Sequence, residues 1–337
     1  MARVLVTGAN GFLGSWVVRR LIQEGNHVFP LIRKSSNLSE LDGIVADYRY
    51  GDVTDLHSLL DAFHGIDTVF HLAGLIAYKK SERTRMENIN VGGTANVLEA
   101  CRANSVRKLV YLSSVVAVGA SFTPDHILNE DSEYNLSDLN MGYFETKRKA
   151  EHLVKEACDK NRVDAVMLNP STIYGPGDAK KGSRKTQVKV ARGEFPFYTS
   201  GGVNVVSVHD AVDGILSAWK KGRTGERYIL AGENILIKDL FAIIARCAGE
   251  RPPTLELPTS ALHAMGIFGD ILATVGLPSS ISRENAWSST LYHWFDSSKA
   301  QSELDFKPRP AEMAIAESVE WMRTHGLLNK KDTSSIG

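Results

Sequence analysis

Thr7-Gly-Ala-Asn-Gly-Phe-Leu-Gly14 is the stretch that decides the fold of this 337-residue chain. The apolar run Arg3–Thr7 before it predicts a buried strand, and the apolar spacing of Ser15–Glu24 after it predicts a helix. Glycines let a backbone turn sharply and approach a pyrophosphate, which the N–H groups of a helix N-terminus attract. With His27–Ile32 as the next strand, the stretch completes a βαβ unit. It therefore predicts a dinucleotide site rather than a merely structural turn.

The spacing of Gly8, Gly11 and Gly14 is G-x-x-G-x-x-G, one residue longer than the common G-x-G-x-x-G. It resembles the short-chain dehydrogenase/reductase family, and the run Asn90-Val-Gly-Gly-Thr-Ala-Asn-Val-Leu-Glu-Ala100 resembles the extended branch of that family. The resemblance implies an α/β fold of the Rossmann type, in which a doubly wound parallel sheet of about seven strands lies between two helical layers.

The resemblance covers nearly the whole chain, about residues 2–325. We expect residues 1–175 to form the NAD(P)-binding Rossmann domain. Residues 176–328 form a smaller, mainly substrate-binding portion with some segments that return to the Rossmann core, and 329–337 form a flexible tail.

Composition argues against several classes of partner. The chain carries 39 basic and 39 acidic residues, so no net field favours nucleic acid or an anionic membrane. Cys101, Cys158 and Cys247 are far apart and lack metal-ligand spacing, which predicts free core thiols and no metal site. The longest apolar tract, Ala261–Leu277, is interrupted by a histidine and an aspartate and is too short to span a bilayer. Because the chain opens directly into a strand, we expect no signal peptide and a cytoplasmic protein.

The residue at the end of the second strand predicts the cofactor. An acidic residue there would bind the ribose 2′-hydroxyl of NAD, whereas an arginine accommodates the 2′-phosphate of NADP. Arg33 occupies this position, with Lys34 beside it, and a guanidinium suits a phosphate. The alternative is a solvated basic turn. We therefore expect NADP(H) in preference to NAD(H).

The resemblance implies the remaining cofactor contacts. Asp52-Val53 follows a third predicted strand, Ile44–Tyr50. It matches the position at which the family carries an acidic residue that binds the adenine amino group. Small residues after the fourth strand, Thr68–Leu72, let a cofactor pass closely, whereas His71 within that strand is predicted to be a hydrogen-bonded structural histidine. The predicted cofactor-binding residues are Gly8, Asn10, Gly11, Phe12, Leu13, Gly14, Arg33, Lys34, Asp52, Val53, Leu72, Ala73, Gly74, Ser113, Tyr143, Lys147, Pro170, Thr172 and Ile173.

Tyr143 and Lys147 are four residues apart at the start of a predicted helix that continues to about Lys160, so they lie on one helical face. A phenol with an ordinary pKa of about 10 is a poor proton shuttle at neutral pH, and a nearby ammonium is expected to lower that pKa. The resemblance implies that these are catalytic residues. It also implies that Ser114, ahead of Ser113, donates its hydroxyl, and that Asn90 helps to hold the site.

The C-terminal portion bears on the substrate. Asn204-Val-Val206 stands where nucleotide-sugar epimerases and dehydratases carry an arginine for the sugar nucleotide, whereas Gly225-Glu-Arg-Tyr-Ile-Leu230 resembles dihydroflavonol-reductase-like members. Asp210 is predicted to cap a helix over Ala211–Lys221. A cluster of aromatic residues predicts either buried packing or part of a hydrophobic pocket; its members are Trp287, Tyr292, Trp294 and Phe295.

Together these features favour hydride transfer between NADPH and a carbonyl or secondary alcohol on a small, fairly hydrophobic substrate. Three alternatives stay open: a nucleotide-sugar epimerase or dehydratase with tightly held NAD, a 3β-hydroxysteroid or sterol-type dehydrogenase, and an NADP-sensing binding protein without turnover. Family members often pair through the helices predicted at Met86–Ala103 and Tyr143–Lys160. We therefore expect a homodimer.

Overall fold

The computed structural model describes residues 1–180, 184–274, 277 and 281–329. Thirteen strands are present in these residues: β1 Arg3–Thr7, β2 His27–Ile32, β3 Arg49–Tyr50, β4 Thr68–His71, β5 Lys108–Leu112, β6 Ala165–Pro170, β7 Thr172–Tyr174, β8 Phe197–Tyr198, β9 Gly202–Ser207, β10 Arg227–Leu230, β11 Glu233–Leu236, β12 Leu255–Glu256 and β13 Tyr292–His293.

Twelve α-helices occur in the same described ranges: α1 Phe12–Gln23, α2 Leu56–Ala62, α3 Arg83–Met86, α4 Gly93–Ala103, α5 Gly142–Asp159, α6 Lys185–Ala191, α7 Val208–Lys221, α8 Ile237–Ala248, α9 Thr259–Thr274, α10 Arg283–Ser288, α11 Ser298–Leu304 and α12 Ala311–Thr324. A π-helical segment, Glu87–Gly92, joins α3 to α4. Single 3₁₀ turns lie at Ser39–Leu41, Lys80–Glu82, Val115–Ala117, Ser137–Leu139 and Asp178–Lys180.

A seven-stranded parallel sheet carries the fold. Its strand order is β3-β2-β1-β4-β5-β6-β10, and the order reverses between β1 and β4. In such sheets ligands bind beyond the carboxyl ends of the strands at this reversal. The predicted α/β class and the seven parallel strands are confirmed.

Two helical layers cover the sheet, and both of its faces are buried. On one face α1 packs against α7, with Val17, Leu21 and Ile215 in the core. On the other face α2, α4 and α5 lie together over Leu59, Val97 and further apolar side chains. Burial on both faces explains why the strands read as continuous apolar runs.

A second, smaller sheet follows directly from the carboxyl end of β6. It contains β7, β9, β11 and β13, and α8 and α12 pack beside it around a separate apolar core. Between these elements the chain returns to the large sheet, where β10 pairs with β6.

Two predicted elements differ from the structure. The third strand is only Arg49–Tyr50, because Ile44 and Tyr48 pack against the core from irregular backbone. The helix predicted from Met86 begins at α3 and includes the π-helical segment.

The predicted cap of α7 was also wrong. Ser207 caps this helix by accepting a hydrogen bond from the His209 N–H at 3.3 Å. Asp210 instead accepts hydrogen bonds from Arg309, at 2.8 Å from its backbone nitrogen and 2.8 Å from its Nε. A buried carboxylate needs such a partner, and this requirement outweighs local capping preference. By contrast, Asp55 caps α2, where its side chain accepts from the N–H groups of His57 and Ser58.

Candidate active site

The glycine turn after β1 is shaped by close backbone approaches. Gly8 has a φ of 68°, and a Cβ atom there would lie 2.7 Å from the backbone nitrogen of Ala73, just beyond β4. A Cβ atom on Gly14 would lie 2.1 Å from the Gly8 carbonyl oxygen. Gly11 stands at the N-cap of α1 without a side-chain cap. The turn thus leaves space in front of a helix N-terminus, where an anion is favoured.

A groove of about 290 Å³ opens beside this turn at the carboxyl ends of the strands. Its lining includes the following predicted cofactor residues: Gly8, Asn10, Gly11, Arg33, Asp52, Val53, Leu72, Ala73 and Gly74. Its further lining residues are Thr7, Leu31, Ile32, Ser36, Gly51, Leu75, Arg85 and Ile89. Thr7, Leu31 and Ile32 lie at the carboxyl ends of β1 and β2, so the predicted strand ends could have indicated them. Arg85 and Ile89 reach the groove through a tertiary contact that the sequence pattern does not reveal.

Several predicted cofactor residues lie outside this groove lining. Phe12 and Leu13 are buried in the core beneath the turn, and Gly14 supports the turn from α1. Lys34 is exposed. Pro170, Thr172 and Ile173 lie at the junction of β6 and β7. The predicted cofactor residues therefore include some that line the groove, some that support its glycine turn and some that lie on β6 and β7 outside it.

Arg33 and Asp52 face each other at the groove. The Arg33 Nη1 lies 3.9 Å from the Asp52 Oδ2, and the Arg33 side chain is 56% exposed. The Arg33 backbone N–H donates to the Ser36 hydroxyl at 3.1 Å. An exposed guanidinium at this position can meet a phosphate that enters the groove, because a surface ion pair at this distance is weak.

Tyr143, Lys147 and Ser114 come together at the start of α5. Tyr143 is 6% exposed, and its ring packs edge-on against Tyr78 with centroids 6.3 Å apart. The Ser114 hydroxyl lies near this phenol and acts on its pKa. Lys147 is equally buried, and its Nζ donates to the Leu112 carbonyl oxygen at 2.8 Å. Tyr143 and Lys147 thus lie on successive turns of α5, and Lys147 reaches the end of β5 next to Ser113 and Ser114.

The pKa of Tyr143 corrects one expectation. Burial raises this pKa, the neighbouring Tyr78 raises it further, and the Ser114 hydroxyl opposes the rise. The predicted net lowering of the Tyr143 pKa is not found, because burial is the largest influence on it. Burial also lowers the pKa of Lys147 to about 8, against the opposing charge of Glu151. Tyr143 is therefore a protonated phenol at neutral pH and can serve as a proton donor.

Asn90 occupies the π-helical segment and is buried. Its Oδ1 accepts from the Leu75 N–H at 2.7 Å, and its Nδ2 donates to the Leu75 carbonyl at 2.9 Å and to the Thr146 hydroxyl at 3.1 Å. Asn90 thus joins the loop after β4 to the turn of α5 between Tyr143 and Lys147. π-Helical turns often occur at functional sites because they redirect a side chain.

The two serines after β5 differ in their surroundings. Ser114 begins the 3₁₀ turn, and its hydroxyl accepts from the Val116 N–H at 3.4 Å. Ser113 is buried, and its hydroxyl has no hydrogen-bond partner within the part of the chain that the structure describes. An orphaned buried hydroxyl at a strand's carboxyl end suits a polar ligand group.

Gly74 connects the groove to the catalytic side chains. It lines the groove, and a Cβ atom built on it would lie 3.4 Å from the Asn90 Oδ1 and 3.6 Å from the Lys147 Nζ. A dinucleotide that entered along the groove would therefore reach Lys147 at its far end. His71, in the strand behind this point, is buried and hydrogen-bonded to Thr7 and Thr94, as predicted for a structural histidine.

Apolar side chains form the surroundings of Tyr143 away from the groove. This wall contains Leu75, Ala77, Tyr78, Val116, Leu139 and Trp287. A cavity of about 130 Å³ opens between Tyr78 and Trp287. Of the four predicted aromatics, only Trp287 belongs to this wall. Phe295 is core, and Tyr292 and Trp294 pack against each other beside Gly202 of the second sheet.

Other predictions concern metals, thiols and membranes. Among the described residues, no group of histidine, cysteine, aspartate and glutamate side chains could hold a metal ion. The three cysteines are free, and burial raises the thiol pKa of each. Within the described ranges, no helix has the length and apolar character needed to cross a membrane.

Comparison with known proteins supports the catalytic interpretation. The sequence model of the 3-beta hydroxysteroid dehydrogenase/isomerase family matches residues 5–212. The chain is 31% identical over 329 residues to sterol demethylase protein B of Methylococcus capsulatus, a match that covers 96% of this chain and 99% of that protein. It is 30% identical over 329 residues to a Synechocystis protein described as "Putative dihydroflavonol 4-reductase", with 95% and 94% covered.

Solved structures agree with these relatives. The crystal structure of gox2253 matches with a TM-score of 0.87 at 33% identity, covering 97% of this chain and 100% of that chain. The structure of MoeE5 in complex with UDP-glucose and NAD matches with a TM-score of 0.74 at 25% identity, covering 96% and 99%.

Proposed function

The chain belongs to the 3-beta hydroxysteroid dehydrogenase/isomerase family and is an NAD(P)-dependent enzyme of the extended short-chain dehydrogenase/reductase type, and from this premise we propose its reaction. It interconverts a carbonyl and a secondary alcohol on a small, fairly hydrophobic substrate, with NADP(H) as cofactor. The observation that carries this proposal is the cluster of Ser114, Tyr143 and Lys147 at the end of a dinucleotide-shaped groove.

The residues of the groove fit a dinucleotide. Side chains are excluded at Gly8 and Gly14 by backbone contacts, so the turn can approach a pyrophosphate. Arg33 would meet a 2′-phosphate, and the unpaired Ser113 hydroxyl lies buried at the end of β5 beside Ser114. When bound, a nicotinamide cofactor supplies or accepts the hydride.

The catalytic side chains then have separate roles. The hydroxyls of Ser114 and Tyr143 bind the substrate carbonyl oxygen. Tyr143 gives its proton to this oxygen as it becomes an alkoxide, and the raised pKa of the phenol keeps that proton available at neutral pH. Lys147 stabilises the resulting phenolate with its charge. Asn90 holds the turn of α5 that carries both residues.

The substrate class follows from the wall around Tyr143. Apolar and aromatic side chains such as Tyr78, Leu139 and Trp287 favour an apolar body next to the reacting carbonyl. The cavity beyond them also has charged lining residues, which are Lys80, Arg83, Asp270, Arg283 and Glu284. A dihydroflavonol-like ketone meets this description, and so does a 3-oxo sterol. The family and the Methylococcus relative keep the sterol class as the alternative within the same reaction.

The likeness to the UDP-glucose complex of MoeE5 favours a second candidate, a nucleotide-sugar epimerase or dehydratase with tightly held NAD. The side chain of Asn204 argues against it. Asn204 is buried and bonded to Asn234 Oδ1 at 2.7 Å and to both backbone groups of Gly232, so it cannot replace an arginine that meets a sugar nucleotide.

The test is NADPH oxidation with a panel of a dihydroflavonol, a 3-oxo sterol and an aliphatic ketone. Conversion of UDP-glucose is followed separately by chromatography, because an epimerase or dehydratase leaves its cofactor unchanged overall. We expect turnover of at least one apolar ketone by the wild type and its loss in Tyr143→Phe. Turnover of UDP-glucose alone, or an NAD molecule that stays with the purified protein, would contradict the proposal and favour the epimerase.

The cofactor preference has its own test. Arg33→Ala is expected to weaken NADPH binding by about 1–3 kcal/mol, the cost of a charged hydrogen bond, and to leave NADH binding nearly unchanged. Arg20→Ala is the matched control, because Arg20 lies on the exposed face of α1 and pairs with Glu24 and Asp213. Equal binding of NADPH and NADH by the wild type would make the NADP(H) preference wrong.

A further inference from the structure

Glu151 is a buried carboxylate that the proposed reaction does not use. It follows Tyr143 and Lys147 at the same spacing of four residues, so the three side chains occupy successive turns on one face of α5. Glu151 is 2% exposed. A buried charge is costly unless it is paired and hydrogen-bonded, and its partners therefore indicate what it is for.

Asn169 links Glu151 to the catalytic serine. This residue lies at the carboxyl end of β6 and is completely buried. Its Nδ2 group donates to the Glu151 Oε2 at 2.7 Å and to the Ser114 carbonyl oxygen at 2.9 Å. One amide group therefore joins α5 to the backbone of Ser114.

Arg227 is the outer partner of Glu151. It lies on β10 and forms an ion pair with the carboxylate. It also lines a surface cleft of about 600 Å³ whose walls include Ala117 and Glu151. The guanidinium balances the buried charge from the solvent side, while the catalytic residues lie on the inner side.

Lys147 is the inner neighbour of this charge. The groups that face Lys147 are His71 from β4, Tyr111 from β5 and Glu151 from its own helix. His71 is neutral, since burial lowers its pKa to about 3. Glu151 is the carboxylate in this set, and it holds up the pKa of Lys147 against burial.

We propose that Glu151 is a positioning residue of the catalytic site, which fixes the backbone of Ser114 through Asn169 and keeps a negative charge beside Lys147. Its ion pair with Arg227 compensates the buried charge. A pair kept only for stability could be replaced by apolar side chains at little or no cost. The pair is connected to Ser114 through Asn169 and to Lys147 on α5, which gives it a role in the reaction. That role rests on the proposed function.

Two variants separate the two contributions. Glu151→Gln retains the shape and an acceptor for Asn169 but removes the charge. Asn169→Leu retains the charge and the approximate volume but removes the amide link. Glu226→Gln is the matched control, because Glu226 lines the same cleft and pairs with Lys299 at 2.7 Å instead of facing Lys147.

The first measurement is the titration of Lys147 by NMR of protein labelled at the lysine Cε carbon, assigned with Lys147→Arg. It needs no substrate. We expect Glu151→Gln to lower the pKa of Lys147 by about 1–3 units, the effect of losing an adjacent opposite charge, and Glu226→Gln to leave it unchanged. An unchanged Lys147 titration in folded Glu151→Gln would overturn the electrostatic part of the inference.

The second measurement is kcat with the ketone found in the panel. We expect Asn169→Leu to lower kcat by up to about 100-fold through misplacement of Ser114, with the KM for NADPH retained. Glu151→Asp, which keeps the charge but shortens the reach to Asn169, is expected to restore the Lys147 titration but not kcat, and it covers the case in which Glu151→Gln does not fold. Wild-type kcat in Asn169→Leu would overturn the positioning part. Absence of turnover in the wild type would instead refute the proposed function, while the Lys147 titration stays interpretable.

Discussion

At the scale of the residue, the protein holds a phenol and an ammonium in an apolar setting and keeps each of them near the ionisation state that the reaction requires. Burial keeps the proton on Tyr143 and loosens the proton on Lys147. Both shifts have the same cause, the loss of water around a charged form. The two side chains share one buried environment. Their different chemistry therefore makes Tyr143 the proton donor and Lys147 the charged stabiliser.

The phenol of Tyr143 is the group to remove first. Tyr143→Phe removes the proton donor but preserves the ring that packs against Tyr78 and Phe144. We expect kcat to fall by about 10²- to 10⁴-fold, the contribution of a general acid, with NADPH affinity retained. Steady-state kinetics and a fluorescence titration of NADPH measure the two quantities. Loss of binding in parallel with turnover would indicate a structural role for the hydroxyl.

The pH profile reports on Lys147. Burial lowers its pKa to about 8, so the ammonium predominates below that pH and is lost as the pH rises through it. We expect kcat in the direction of carbonyl reduction to fall on the alkaline side with a midpoint near pH 8. Lys147→Arg stays charged throughout this range and should lose the alkaline limb, whatever its absolute rate.

The same shift affects stability with the opposite sign. Unfolded lysine binds its proton up to about pH 10.4, so between about pH 8 and that value the unfolded chain carries more protons than the folded one. The contribution of Lys147 to the free energy of unfolding therefore rises with pH in this window.

A wild-type pH–rate profile that stays flat to pH 10 would contradict the assigned role of the ammonium.

Residue identities at the site could be predicted from the sequence where a motif fixes them locally. The spacing of Tyr143 and Lys147 and the positions of Gly8 and Gly14 are of this kind. The pKa of Tyr143 could not be predicted, since it depends on burial by Tyr78 and its neighbours and on where the Lys147 Nζ finds an acceptor. Asn169 and Arg227 likewise reach Glu151 only through the folding of distant strands.

At the scale of the element, the turn between β1 and α1 tolerates no side chain. Gly14→Ala would place a methyl group 2.1 Å from the Gly8 carbonyl oxygen and push α1 away from the turn. We expect NADPH binding to be lost and the melting temperature to fall. Gly43→Asn is the control, because Gly43 has a positive φ that asparagine tolerates and open space around it. An unchanged Kd for NADPH in Gly14→Ala would show that the turn does not contact the cofactor.

Helix α10 is tied to the catalytic helix by one carboxylate. Glu284 accepts from the Gly142 N–H at 3.0 Å, at the start of α5, and pairs with Arg83 at 2.6 Å. Glu284→Ala leaves these donors without their acceptor, and we expect it to lower the free energy of unfolding by about 1–3 kcal/mol. Urea denaturation measures the change.

The control for this helix contact is Glu312→Ala. Glu312 pairs with Arg246 at the surface, where both side chains are more than half exposed, and such pairs contribute about 0–1 kcal/mol. Similar losses in the two variants would mean that Glu284 is an ordinary surface charge.

Element boundaries were predictable where the apolar period is strong, as in β1, β2 and β5. The third strand was predicted too long because Ile44 and Tyr48 are apolar for a tertiary reason, their packing against the core. The π-helical segment around Asn90 was not predicted, since the hydrogen bonds of Asn90 to Leu75 and Thr146 are made between distant parts of the chain.

At the scale of the whole molecule, α4 and α5 lie side by side on one face of the large sheet and leave an outward surface that includes Ala95, Leu98 and Leu153. We expect two copies of the chain to pair there as a four-helix bundle. Solution scattering at micromolar concentration should then give twice the 37.0 kDa chain mass.

Ala95→Arg is expected to reduce this mass to that of the monomer, because it places a charge at the centre of the proposed interface. Ala95→Ser is the control and should stay dimeric. A monomer mass for the wild type would make the expected homodimer wrong.

The return of β10 to the large sheet has a consequence for how such a protein can be inherited. A gene segment that encoded only residues 1–175 would specify β7 and six strands of the large sheet, with an open edge at β6 and without the α7 helix that packs against α1. The dinucleotide half is therefore not a module that recombination can exchange by itself. New substrate specificities therefore arise in the complete chain, through changes in loops and side chains that preserve the pairing of β10 with β6.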